Sequence, residues 1–121
     1  MELRLPLKKK WFEMTKAGIK TEDYREITPY WIKRFLMDIE VLDPSIDYEE
    51  LSKLIKEKSL NVRYSFIEYR YNTMTLGYPK STDTDRIIQF EHAGIEIRTG
   101  NPEWGAEPNK LYFVIKHGKA L

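Results

Sequence analysis

The densest chemistry in the sequence lies in Gly18-Ile19-Lys20-Thr21-Glu22-Asp23-Tyr24-Arg25, whose last six residues hold two cations, two anions and one aromatic. Lys20 offers an ammonium for a phosphate or carbonyl and, when desolvated, a base of lowered pKa. Arg25 offers a planar fork of donors suited to a base edge or a phosphate. Asp23 stands two residues before Arg25, so on a strand the two share a face. They read either as ligand-binding groups or as an ion pair that pins the strand, worth under about 1 kcal/mol if exposed. Lys20 has the opposite parity to Arg25, so both reach one ligand only if the backbone turns just after Lys20. Thr21 brings a hydroxyl that faces away from Lys20 on a straight strand. Tyr24 reads as a base-stacking ring or as core packing.

Other candidates lie further away. Trp104 sits in a Gly/Pro loop and has less reason to be core, so it is a candidate wall of a cleft, where ring–base stacking is worth about 1–3 kcal/mol. In Lys8-Lys9-Lys10, the last two read as the solvated face of a helix, whereas Lys8 stands at a strand–helix junction and points at the cleft. Glu103 and Glu107 flank Trp104; the default for both is loop solvation, with a general base as the functional alternative. His92 and His117 are the two histidines. Nothing near either has metal-ligand spacing, so no metal site is expected, and His92 reads as a partly buried structural residue. No phosphate-binding glycine loop, nucleophile triad or dinucleotide fingerprint is present, and no cofactor is expected.

The elements that position these residues follow from periodicity. Leu3, Leu5 and Leu7 alternate with Arg4, a half-buried strand over Glu2–Leu7 that ends or lies at an edge because of Pro6. Leu7, Trp11 and Met14 recur at helical spacing, which predicts a helix over Lys8–Ala17 stopped by Gly18. Lys20–Glu26 reads as a strand or extended edge. Thr28-Pro29 starts a short helix, with Tyr30, Trp31, Phe35, Leu36 and Ile39 as its apolar stripe. Asp47 and Glu50 have capping-box spacing and open a helix over Tyr48–Lys58, acidic early and basic late. From Asn61 the period becomes two. It slips at Phe66-Ile67, which predicts a β-bulge or a bend, and its phase shifts again at Ala93-Gly94; bulged, bent strands of this kind fit a closing barrel. Leu111, Phe113 and Ile115 alternate in a last strand that ends near His117-Gly118. Helices come early and strands late: an α+β domain, mostly an antiparallel β-barrel with helices packed at one side.

Length and composition bound the function. A chain of 121 residues with 41% hydrophobic and 13% aromatic content is one globular domain. There is no cysteine, so disulfides and thiolate metal sites are excluded. No apolar run suits a membrane span, and Met1–Lys10 lacks the apolar core of a signal peptide, so a cytoplasmic location is expected. The net charge of +1 conceals a gradient: residues 1–35 carry nine Lys/Arg against five Asp/Glu, and residues 36–60 three against seven. Tight non-specific duplex binding needs many neutralised phosphates and is disfavoured. A small basic patch that reads a nucleotide or a single strand fits.

Gly18, Lys20, Asp23 and Arg25 match the spacing Gly-x-Lys-x-x-Glu-x-Arg, and the chain resembles the ASCH domain, phage or bacterial type. Leu5-Pro6-Leu7-Lys8, the helix with Trp11-Phe12, and Gly100-Asn101-Pro102-Glu103-Trp104-Gly105 followed by the strand Tyr112–Lys116 carry the likeness further. The resemblance implies a single PUA-like domain over 1–121, with the acidic helical segment near 45–60 as a family-variable insert. It also implies a cleft at the barrel that binds RNA or a nucleoside-like group, with Lys8, Lys20, Thr21, Asp23, Tyr24, Arg25 and Trp104 as contacts. Asp23 replaces the usual glutamate and is shorter by one carbon–carbon bond, about 1.5 Å. Some compact members are amidohydrolases on acetylated cytidine, which use a lysine, a threonine three residues later and a distant glutamate. Lys20 matches that lysine, but Asp23 takes the place of the threonine. The expected function is therefore an RNA- or nucleotide-binding module, with the amidohydrolase as the alternative, for which Lys20 and Asp23 are the catalytic candidates. A third reading has helix 47–58 docking a protein partner.

Overall fold

A computed structural model describes residues 1–121. In chain order the elements are β1 (Glu2–Leu7), α1 (Lys9–Lys16), β2 (Glu22–Arg25), α2 (Pro29–Phe35), β3 (Leu36–Val41), α3 (Tyr48–Lys56), β4 (Val62–Phe66), β5 (Tyr71–Leu76), β6 (Ile87–Thr99) and β7 (Leu111–Ala120). Single 3-10 turns at Thr84–Arg86 and Pro102–Trp104 complete the set. The domain is α+β.

Five strands form one sheet in the order β1-β5-β6-β7-β2. All its pairs are antiparallel except β1 with β5, which is parallel. The sheet curls strongly into a half-barrel, and β1 and β2 are its two unpaired edges. Pro6 thus lies on an edge strand, where a missing N–H removes no ladder bond. The curl is helped by two register shifts in β6, between Phe90 and His92 and between His92 and Ile95, the second of which spans the Ala93-Gly94 phase change read from the sequence. The parity of Leu3, Leu5 and Leu7 places all three in the core, as do Met74, Phe113 and Ile115 from the facing strands.

One expectation fails in the middle of the chain. The helix from Pro29 stops at Phe35, and Leu36 to Val41 is a strand instead of a continued apolar stripe. Leu36 and Ile39 fit a helix face by spacing, but Leu36 pairs with Phe66 and Val41 with Val62. Those long-range bonds outweigh local periodicity, and Asp38 takes φ 52° at the irregularity between Met37 and Glu40. The parity slip at Phe66-Ile67, read as a bulge or a bend, holds no bulge. It marks the point where the chain leaves the small β3-β4 sheet, and it enters the large sheet at Tyr71. Helix α3 bridges β3 and β4, and its N-cap Asp47 accepts from Glu50 N–H at 2.8 Å. Leu51 and Ile55 join the main core, so this acidic segment is packed into the body of the domain.

Candidate ligand-binding cleft at the seam of the sheet

Helix α1 ends in a Schellman turn. Gly18 takes φ 77°, its N–H reaches Thr15 O at 3.1 Å, and Ile19 N–H reaches Met14 O at 3.0 Å. Such a turn needs a left-handed residue after the helix, which glycine supplies without a Cβ clash. Lys20 N–H then bonds Met14 O as well, at 3.1 Å, and the chain folds inward. This turn lies at Gly18–Lys20 and so precedes Lys20, whereas the parity of Lys20 and Arg25 asks for a turn just after it; residues 20–21 are irregular and β2 begins at Glu22.

Lys20 is carried into the interior and is only 2% exposed, beside Asp23 at 5%. Its Nζ donates to Glu22 O at 2.6 Å and to Asp23 Oδ1 at 3.1 Å. The Tyr24 and Trp11 rings lie 5.5 and 6.0 Å away and add a cation–π environment. Arg25 Nη2 sits 3.1 Å from Asp23 Oδ2 and donates to Pro6 O at 3.0 Å. Its N–H points at Pro6 and not at the carboxylate, for Asp23 Oδ2 has no hydrogen-bond partner, nor has Arg25 Nε. One carboxylate therefore sits between two cations, and the cluster keeps one net positive charge. The Arg25 guanidinium also lies 5.2 Å from the Trp31 ring centre. This side chain spans the gap between β2 and β1 that backbone pairing leaves open.

Beside this seam is a cleft of about 270 Å³. Lys8, Asp23, Tyr24, Arg25 and Trp104 line it, together with Trp11 and Tyr112. Lys20 and Thr21 do not. Lys20 is enclosed behind the wall, and Thr21 is exposed, its carbonyl accepting His117 N–H at 3.1 Å. Trp11 and Tyr112 line it although their spacing in the sequence reads as core.

The Trp104 loop is held by two close approaches. A Cβ on Gly100 would come within 2.7 Å of the Tyr24 ring, and one on Gly105 within 2.8 Å of Trp11. Gly105 also takes φ 97°. Asn101 Oδ1 accepts from Glu103 N–H at 2.9 Å and starts the 3-10 turn that presents Trp104. Glu103 and Glu107 are exposed and do not line the cleft.

Glu22 and Tyr24 form a second layer. Tyr24 Oη donates to Glu22 Oε2 at 2.6 Å and accepts from Asn101 N–H at 2.9 Å. Arg98 Nη1 donates to the same Glu22 oxygen at 2.9 Å. Burial raises the Glu22 pKa, but the hydrogen bonds from Arg98 and Tyr24 override it and hold the group below its ordinary value. Burial, then the Glu22 bond, pushes Tyr24 up to about 12. Tyr24 is thus half-buried, packed 5.7 Å from Tyr112, and part of the cleft wall.

The two histidines, distant in sequence, meet through Asn72. Buried Asn72 donates from Nδ2 to Lys116 O at 3.0 Å and lies 2.9 Å from His117 Nδ1; its Oδ1 lies 2.6 Å from His92 Nδ1. The amide fixes the tautomers: His92 donates from Nδ1, and His117 accepts at Nδ1. Burial pushes His117 down to about 4, with Asp23 pulling it up and Lys20 pushing it down. Burial and then Lys116 lower His92. No group of three or more His, Asp or Glu side chains is placed to hold a metal ion. No helix is long and apolar enough to cross a membrane. The exposed face of α3 mixes Glu49 and Glu50 with Lys53 and Lys56. No protein-family model matches the chain, and neither does any curated protein or solved structure.

Proposed function

We propose that the protein binds RNA or a nucleotide-like ligand in the cleft beside Gly18–Arg25. The observation that carries this reading is the union of Arg25 and Lys8 with the rings of Trp11, Tyr24 and Trp104 around one hollow of about 270 Å³. That volume lies just under the common range of about 300–1,000 Å³ for small-molecule sites, so it suits one base or one phosphate-bearing group. Arg25 supplies the planar donor fork, Lys8 the exposed rim charge, and Trp104 the stacking face. Lys20 acts at one remove, holding the buried cluster cationic. Asp23 is a positioning residue that fixes Arg25, and its Oδ2 becomes an acceptor for a base amine when Arg25 turns onto a phosphate. The amidohydrolase reading needs Lys20 Nζ at a substrate carbonyl, and the enclosure of that atom favours binding over turnover.

Titration of tryptophan fluorescence with short single-stranded RNA at two salt concentrations tests the proposal. Binding should weaken as salt rises, and the exposed variant Lys8→Ala should lower the salt slope by about one. Arg25→Ala, checked for folding by circular dichroism, should reduce affinity at least tenfold. An absence of binding at low salt, or affinity indifferent to both variants, rejects the reading.

A further inference from the structure

On the other side of Pro6 and Arg25 lies a second groove, of about 450 Å³. Tyr30, Trp31 and Tyr78 line it with Arg4, Arg34 and Pro6, and no carboxylate does. Tyr78 is 93% and Tyr30 58% exposed. Apolar burial therefore does not explain the Tyr30 and Tyr78 rings, whereas Trp31 packs against the core and stacks on Phe35. The arginines are arranged around aromatic faces. The Arg34 guanidinium lies 5.5 Å from the Tyr30 ring centre and 5.6 Å from that of Trp31, and its Nη1 donates to Tyr30 Oη at 3.0 Å. Arg34 Nε is buried without a partner. Arg4, at the rim, is paired only through its Nε, with Glu2 at 3.4 Å, and its side chain is 54% exposed.

The open ring of Tyr78, next to guanidiniums with no lining anion, matches a strand of bases and phosphates: the base stacks on Tyr78 and the phosphate meets a guanidinium. The two hollows are neighbours. Pro6 lines both, and the Arg25 guanidinium reaches from the first to the Trp31 ring of the second at 5.2 Å. The first hollow, of about 270 Å³, holds one base or one phosphate-bearing group, so any longer ligand must continue elsewhere, and this groove is the adjacent continuation with matching chemistry.

We infer that the Tyr30–Tyr78 groove binds the flanking nucleotide of a single strand whose first nucleotide occupies the seam cleft. The protein then reads an oligonucleotide, not a free nucleoside. The inference rests on the proposed function of the cleft, and the test separates the two.

The experiment measures affinity for a mononucleotide, a trinucleotide and a pentanucleotide of one base, as RNA and as DNA, at low fixed salt. It uses the whole chain, Tyr78→Ala and Tyr78→Ala/Arg4→Ala; both positions are exposed, so folding is retained. The trinucleotide should bind the unaltered protein at least tenfold tighter than the mononucleotide. Tyr78→Ala should remove most of that gain and leave mononucleotide affinity unchanged. An abasic trinucleotide should lose the gain as well. Equal affinity for all lengths, with mononucleotide binding still dependent on Arg25, overturns the groove assignment and leaves the cleft standing. A length gain untouched by Tyr78→Ala, or retained by the abasic ligand, also overturns it. Failure of every length to bind overturns both. A gain for RNA alone assigns the strand as RNA, whereas equal gains extend the assignment to single-stranded DNA.

Discussion

Lys20 Nζ and Asp23 Oδ1 lie 3.1 Å apart with side chains only 1% and 7% exposed. An ammonium that deep is tolerable only because Glu22 O and Asp23 satisfy it, and removing one member of a buried pair leaves the other uncompensated. Asp23→Ala strands two cations and should destabilise the fold by about 3–5 kcal/mol. Lys20→Met removes a charge but leaves Asp23 beside Arg25, and should cost distinctly less. Urea denaturation of the two variants compares them directly. If Lys20→Met is the more damaging, the carboxylate is not the shared anchor described here.

Arg25 joins the two open edges of the half-barrel through its bond to Pro6 O at 3.0 Å. Lysine keeps the charge but lacks the planar fork, so it cannot meet Asp23, Pro6 and Trp31 at once. Arg25→Lys should lower stability by about 1.5–3 kcal/mol, the usual scale for a lost hydrogen bond with a charged donor. Ligand affinity should fall by more than the stability change. Denaturation midpoints and RNA titrations on the same sample decide this; a variant equal to the parent in both would show the seam to be closed by packing alone.

The histidine pair sets a pH dependence. His117 is held near 4 in the fold, against an ordinary 6.5, so between those values the unfolded chain binds a proton that the folded chain refuses. Stability from this group is complete above about pH 6.5 and is lost as pH falls toward 4, at up to about 1.4 kcal/mol per unit. His92, also depressed by burial, acts with the same sign. His117→Gln should flatten the curve in that window, read from urea midpoints at half-unit steps. An unchanged slope would mean that carboxylates alone carry it.

Much of this was legible wherever a local rule decides the outcome. Gly18 had to end α1, Pro6 had to sit at an edge, and Asp47 had to cap α3, because each answers to backbone geometry within a few residues. Leu36 and Ile39 were not legible, since their spacing suits a helix face and a strand equally; only the partner Phe66, thirty positions away, decides. The enclosure of Lys20 was hidden for a similar reason. Its burial depends on the fold bringing Trp11 and Tyr24 over it while Asp23 compensates its charge. Asn72 carried no signal at all, because what makes it matter is the meeting of His92 and His117 on neighbouring strands. In the cleft, the charged residues could be chosen from their cluster, whereas Trp11 and Tyr112 became wall residues only through the approach of the 100–105 loop.

That loop supplies a last test. Gly100 faces the Tyr24 ring so closely that a methyl group would sit 2.7 Å from it, and also 2.7 Å from the Ala106 Cβ. Neither neighbour is a flexible chain end, so the ring or the loop must shift. Overpacking of this kind costs about 1–3 kcal/mol. Gly100→Ala should therefore lower stability by that amount and displace Trp104, weakening ligand binding. Tyr24→Phe makes the complementary change: the ring stays, but the bonds to Glu22 and from Asn101 N–H are lost; Glu22 keeps Arg98, so the cost of about 1–3 kcal/mol falls on the unpaired Asn101 N–H. Its ring still supports the cleft, so affinity should drop less than in Gly100→Ala. Trp104 fluorescence, recorded in a Trp11→Phe/Trp31→Phe background, reports the loop position in each variant. A red shift in Gly100→Ala that is absent in Tyr24→Phe is the expected pattern, and the reverse would place the ring's hydroxyl, not its packing, in control of the loop.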